Sequence, residues 1–169
     1  DRIKIEFQGG EATLRPDLIK QVIDICENKF SETEFVICTN LLTISKEMDS
    51  IYRKDNVFIS TSIDGPEEVM DQNRTQNREQ SNHFFKNLDY VNKEYGSGKV
   101  SALPTITEKM INDPKYLIDF YISLGFDSIF LRPVNYMGFA RKNFKELSNE
   151  IDRWNKFYEE SINYIIKIN

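Results

Sequence analysis

Residues 3–11 read IKIEFQGGE, and the rest of the chain can be laid out around this stretch. Ile3, Ile5 and Phe7 alternate with Lys4, Glu6 and Gln8, the two-residue period of a strand with one face inward. Gly9 and Gly10 then remove two Cβ atoms where the chain must turn, so another molecule can approach the backbone closely. Glu11 follows, and Pro16-Asp17 opens a run in which Leu18, Ile19, Val22, Ile23 and Cys26 fall at helical spacing, with proline near the first turn. Strand, Gly-Gly-Glu, helix is a βα unit with a carboxylate at the carboxyl end of its strand, the end at which α/β sheets and barrels bind ligands. Taken alone, the glycine pair is an ordinary turn and the Glu an ordinary solvated charge.

The same unit recurs along the chain. Glu34 to Cys38 is a β-branched and aromatic run ending at Thr39-Asn40, followed by a helix around Lys46 to Arg53. Val57 to Ile63 predicts a third strand, stopped by Asp64-Gly65-Pro66. Glu67 to Ser81 has little apolar periodicity beyond Val69 and Met70 and reads as a long rim loop. Phe84, Phe85, Leu88 and Val91 space as a helix that stops at Tyr95-Gly96, before a fourth strand at Lys99 to Thr105. Pro114 opens a helix closed by Gly125, Asp127 to Leu131 reads as a fifth strand, and a final helix is expected from about Phe144 to Ile168. Strands alternating with helices predict a parallel sheet with right-handed crossovers. A complete eight-stranded barrel needs roughly 250 residues, so a chain of 169 residues is expected to be an open sheet or an incomplete barrel, in a single domain over residues 1–169.

Composition narrows the function. A net charge of −5 with dispersed Lys and Arg argues against a nucleic-acid surface. No apolar run reaches the roughly 18 residues that span a bilayer, and no leader opens the chain, which together read as a cytoplasmic protein without a membrane partner. Asp1 stands just before a core strand, so the chain is expected to begin inside a longer protein, and open sheet edges leave room for self-association. Cys26 and Cys38 form neither a metal motif nor a disulfide framework, and Cys38 reads first as a small buried hydrophobe. His83, the single histidine, reads as structural or capping.

QGGE at Gln8 to Glu11, TN at Thr39-Asn40, SIDGP at Ser62 to Pro66 with NR at Asn73-Arg74, and FLRPV at Phe130 to Val134 resemble, in order and spacing, the core of radical S-adenosylmethionine enzymes. The resemblance is nearest to the peptide- and protein-modifying, SPASM-type branch that includes anaerobic sulfatase-maturing enzymes. Within it, EFQGGE, ICTNL, ISTSIDGP, KVSALPTIT and GFDSIFLRPVNYMGFA most resemble the maturases of His-Xaa-Ser peptide systems. The similarity runs to about Lys142. It implies a partial (β/α) TIM-like barrel of about five parallel strands, strands two to six of the core, with outer helices. It implies as cofactors S-adenosylmethionine and a [4Fe-4S] cluster, and as partner a peptide or protein substrate from which a deoxyadenosyl radical abstracts hydrogen. The family holds its cluster with a CxxxCxxC loop after the first strand; this sequence has no such loop. The loop is expected upstream, leaving the chain without metal ligands and inactive alone. Ala12 stands where the family usually has proline, which would only stiffen the turn.

The resemblance also assigns residues. S-adenosylmethionine presents an ammonium and a carboxylate. Gly9, Gly10 and Glu11 suit the ammonium, with an attraction on the order of 4 kcal/mol at about 4 Å and an effective dielectric near 20. Ser62 and the fork of Arg74 suit the carboxylate, with Ser60 a weaker candidate. Asn40, Thr105, Thr107, Leu131 and Arg132 are placed to line the adenosine side, and Gln8 to touch cofactor or substrate. No catalytic acid or base can be named. Two rivals remain: a cluster-free α/β module that binds a nucleotide or a protein partner, and a metal-assisted barrel using Glu11 and Asp64, which one histidine and separated carboxylates disfavour.

Overall fold

A computed structural model describes residues 1–75, 77–108, 110–135, 141 and 151–169. In chain order the elements are β1 (Arg2–Phe7), a 3-10 turn (Ala12–Leu14), α1 (Pro16–Glu27), β2 (Glu32–Cys38), α2 (Lys46–Tyr52), β3 (Val57–Thr61) and α3 (Glu67–Asn73). There follow α4 (Arg78–Tyr95), β4 (Val100–Ala102), β5 (Thr105–Ile106), α5 (Pro114–Ser123), β6 (Arg132–Pro133) and α6 (Ile151–Ile168). The chain divides into two compact units, Asp1–Ser62 with Glu79–Ser101, and Ile63–Arg78 with Ala102–Asn169. The fold is α/β with parallel strands: β1 pairs with β2, β2 with β3, and β5 with β6, all parallel. The order is sequential, β1-β2-β3-β4 in one sheet and β5-β6 in the other.

In the first unit the alternation of β1 does what its sequence demands. Ile5 and Phe7 lie opposite Phe35 and Ile37 of β2, and the Phe7 and Phe35 rings stack at 6.3 Å. Phe35, Ile37, Val57 and Ile59 are wholly buried. Helices cover them through regularly spaced residues: Ile19, Ile23 and Cys26 from α1, Met48, Ile51 and Tyr52 from α2, and Phe84, Leu88 and Val91 from α4. The helix starts are fixed locally. Pro16 occupies the first turn of α1, and the Ser45 hydroxyl accepts the Met48 N–H at 3.2 Å to cap α2. The other face of the sheet carries Lys4, Glu6, Cys38 and Ser60.

In the second unit, Asp113 caps α5 by accepting the Tyr116 N–H at 3.0 Å, with Pro114 in the first turn. Leu117, Ile118 and Tyr121 are buried from this helix, and the Tyr121 hydroxyl donates to the Ile63 carbonyl at 2.6 Å. The amphipathic helix α6 buries Phe157 and Ser161, and its Arg153 donates to both oxygens of Glu108 at 2.8 and 2.6 Å.

The elements differ from the sequence reading at four places. The expected rim loop over Glu67 to Ser81 holds α3 and the start of α4. Acidic residues in the first turn favour α3 through the helix dipole, but Met70 is its one buried side chain, so no apolar period announces it. The fourth strand is split into β4 and β5 at Leu103-Pro104, where proline has no N–H to give a ladder. Asp127 to Leu131 is not a strand; the ladder starts one residue later, with Arg132 opposite Thr105 and Pro133 opposite Ile106. Phe130 is 61% exposed, so its strand propensity had no core to act on. The last helix is described from Ile151, and residues 144–150 of the expected span lie outside the described residues. No described helix is long and apolar enough to cross a membrane.

Candidate functional site

In the first unit the candidate residues collect where β1 and β2 end. Gly9 has φ +143°, open to glycine and strained for any residue with a side chain. A Cβ built on Gly9 or on Gly10 meets nothing within 4 Å, so both backbone segments are open to approach. Glu11 is half-buried and already engaged. Its Oε1 accepts the Thr13 N–H at 3.3 Å and hydroxyl at 2.7 Å, capping the 3-10 turn, and its Oε2 accepts the Asn40 N–H at 2.8 Å. The carboxylate read as an acceptor for a ligand's ammonium therefore also ties the turn after β1 to the turn after β2.

That second turn is tight. Thr39 Oγ1 accepts the Leu41 N–H at 3.1 Å, Asn40 Oδ1 accepts the Leu42 N–H at 3.0 Å, and Leu41 sits at φ 55° with its side chain fully buried. Left-handed backbone costs a non-glycine residue roughly 1–2 kcal/mol, and Leu41 is held there by burial and by the Asn87 amide, which donates to its carbonyl at 2.9 Å. Asn40 itself is exposed, and Ser62, one residue beyond β3, is half-buried.

Across the polar face of the same sheet, Cys38 is half-buried and its thiol donates to Glu6 Oε1 at 3.2 Å. Burial first, and then the Glu6 carboxylate, push this thiol up to about 11. Glu6 is lowered, chiefly by the Cys38 bond and then by a bond from the Gln8 side chain. Gln8, expected to face cofactor or substrate, thus joins a row with Glu6 and Cys38. Cys38 behaves as a polar group and not as a buried hydrophobe. Cys26 is buried in the core, and among the described residues no cluster of three His, Cys, Asp or Glu could hold a metal ion.

The second unit is organised by Asp64, a residue that sequence reasoning undervalued. It is 2% exposed, and its Oδ2 and Oδ1 accept Arg74 Nε and Nη2, each at 2.8 Å. Oδ1 also accepts the Thr105 N–H at 2.8 Å, and Oδ2 accepts the Asn73 amide at 3.4 Å. Arg74 gives a further bond to Thr105 Oγ1 at 3.2 Å, and Asn73 one to Thr107 Oγ1 at 3.3 Å. The fork assigned to a ligand's carboxylate is closed on Asp64 in this bidentate pair. Gly65 has its own constraint: an added Cβ would stand 3.2 Å from Val69 Cβ and 3.3 Å from Met110 Sδ. Arg132 faces Thr105 across the β5–β6 ladder, with Leu131 just before it, both half-buried. The signal for Asp64 was present, since an acid in an Asp-Gly-Pro stop precedes an Asn-Arg pair by nine and ten residues.

No protein-family model matches the chain. One curated relative, an uncharacterized protein of Methanocaldococcus jannaschii, is 26% identical over 108 residues, which is 63% of this chain and 31% of that protein. Solved structures of anSMEcpe, an anaerobic sulfatase-maturating enzyme of the radical S-adenosylmethionine class, superpose over nearly the whole chain. The native enzyme with bound AdoMet matches at TM-score 0.78 and 16% identity, covering 96% of this chain and 46% of that one. The complex with AdoMet and the Kp18Cys peptide matches at 0.74, with the same identity and coverage. The shared feature is the fold. The chain shares the parallel α/β fold of that part of anSMEcpe and spans less than half of the solved chains it matches.

Proposed function

We propose that the chain is the cofactor-binding part of a radical S-adenosylmethionine maturase that modifies a peptide, with His-Xaa-Ser peptides as the substrate class. What supports the reading is the superposition over 96% of the chain on an enzyme solved with AdoMet and a peptide. The open Gly9-Gly10 backbone just past the end of β1 is bare enough to accept a bound amino acid group. AdoMet, joined to a [4Fe-4S] cluster, supplies the hydrogen-abstracting chemistry when bound. Cys26 and Cys38 cannot supply three thiolates, so the chain's residues do not fit the cluster, whose ligands belong to another part of the protein. The chain alone is inactive on this reading.

The residues present bind and orient. Gly9 and Gly10 offer bare backbone to the cofactor's ammonium, with Glu11 beside them as the anion. Ser62 offers a hydroxyl to its carboxylate, and Arg74, held by Asp64, fixes the loop that follows β3. Asn40 is proposed to contact the adenosine, and Gln8 the substrate. The test is anaerobic reconstitution of the intact protein with iron and sulfide, followed by AdoMet and a low-potential reductant. Deoxyadenosine formed in a peptide-stimulated reaction is the expected product. Absence of AdoMet binding by the reconstituted protein would remove the proposal.

A further inference from the structure

Helix α4 buries Phe84, Leu88 and Val91 at helical spacing. Asn87, three residues after Phe84 and four before Val91, falls on the same side of the helix, yet it is polar and half-buried. Its amide donates to the Leu41 carbonyl, 46 residues earlier, at 2.9 Å. Leu41 is where the first unit stores backbone strain: among the described residues it is the one non-glycine residue at positive φ, 55°. Its side chain is fully buried, so the residue cannot relax by moving outward. Two bonds of the turn, from the Leu41 N–H to Thr39 Oγ1 and from the Leu42 N–H to Asn40 Oδ1, are local and travel with it. The Asn87 bond anchors the turn to a helix instead.

Without the Asn87 bond, Leu41 is free to return toward negative φ. With its side chain anchored, that rotation swings the Asn40–Leu41 peptide and draws the Asn40 N–H off Glu11 Oε2, which accepts it at 2.8 Å. Glu11 in turn follows the bare Gly9-Gly10 backbone. A line of contacts thus runs from Asn87 through Leu41 and Asn40 to Glu11, all within the first unit. We propose that Asn87 is a positioning residue: it holds the turn after β2 in the strained form that presents Asn40 and Glu11 to AdoMet. The proposal rests on the reading of this rim as an AdoMet site and adds a residue, outside the rim, on which the rim's geometry depends.

Asn87→Ala and Asn87→Asp test the role, the second keeping the side chain's shape while removing its donor. Asn87 borders an open cavity of about 540 Å3 that Ser45, Ser50 and Lys86 also line, so truncation leaves no sealed void and the fold is expected to survive. Ile23→Val, which trims a fully buried side chain of α1, is the control for lost stability alone. In the reconstituted intact protein, both Asn87 variants should bind AdoMet about fivefold more weakly by anaerobic calorimetry, the scale of one neutral hydrogen bond, and Ile23→Val should bind as wild type. Amide hydrogen exchange over residues 39–42, read by mass spectrometry without AdoMet, should quicken about fivefold in the Asn87 variants and not in Ile23→Val. Unchanged affinity in both Asn87 variants, or a loss in all three that follows their melting points, would overturn the positioning role. If the wild-type protein binds no AdoMet, the proposed function fails. The exchange data then decide alone, and unquickened amides over 39–42 would overturn the tie from Asn87 to the turn.

Discussion

Removing the Asp64 carboxylate should unfasten the second unit, and the size of the effect follows from its contacts. Asp64→Ala deletes a bidentate pair with Arg74, the acceptor of the Thr105 N–H and the weaker Asn73 contact. Breaking a buried ion pair from one side costs roughly 3–5 kcal/mol because the surviving charge is left uncompensated. Here the survivor is Arg74, whose side chain is 31% exposed, so water recovers part of that and about 3 kcal/mol is expected. The opposite truncation, Arg74→Ala, leaves a carboxylate that is only 3% exposed, and should cost at least as much. The double variant should cost less than the sum of the two, by about 2 kcal/mol, because neither charge is then stranded. Urea unfolding of the four proteins at neutral pH, with m-values compared, measures this cycle. A loss below about 1 kcal/mol for Asp64→Ala, or strict additivity, would refute the clamp.

Five further outcomes are expected. Gly10→Ala meets open space at ordinary φ, so it should melt as wild type yet weaken AdoMet binding to the intact protein by calorimetry; unchanged affinity would deny the close approach. Glu11→Ala loses three accepted bonds and should cost about 1–2 kcal/mol in denaturant along with affinity, because the carboxylate also joins two turns. Raising pH through Cys38, whose thiol titrates near 11 against an ordinary 9.0, should remove a stabilising contribution that is complete below 9 and lost as pH climbs through 11; the same thiol should alkylate half-maximally near 11. Lowering pH acts on Glu6 in the other sense: its contribution is present above the ordinary carboxylate value of 4.5 and is lost as pH falls through the lowered folded value. His83→Ala, at an exposed position of α4, should change stability by less than about 0.5 kcal/mol in the same melts.

Much of this was legible where burial and period coincide. Ile3, Ile5 and Phe7 announce β1 because one face of it is packed, and Pro16 and Asp113-Pro114 announce helix starts because caps are local chemistry. The sequence read poorly where an element is held by polar contacts. Helix α3 buries Met70 alone, and its end is fastened by Asn73 and Arg74 bonding an acid outside the helix. The strand at Arg132 is set by its ladder to Thr105, not by the apolar DSIFL run before it, whose Phe130 remains exposed. Candidate residues were found by motif, but their partners were not, because a partner 29 or 41 residues away, as Glu11 has in Asn40 and Asp64 in Thr105, leaves no periodic trace.

Glu11 and Asp64 show a common construction, each within its own unit. In both, the acid just after a strand is half or wholly buried and accepts the backbone N–H of a residue at another strand end, Asn40 for one and Thr105 for the other. A carboxylate in that position replaces water at turns that cannot complete a ladder, which fixes the turns without a regular element. Such acids make ambiguous markers of ligand binding, because their loss disturbs the rim that any ligand would meet. A drop in AdoMet affinity in Glu11→Ala is therefore expected whether or not the carboxylate touches the cofactor. Gly10→Ala is the decisive comparison: it adds one methyl group to open space, disturbs no bond of Glu11, and can lower affinity only if a ligand comes within van der Waals distance of that backbone.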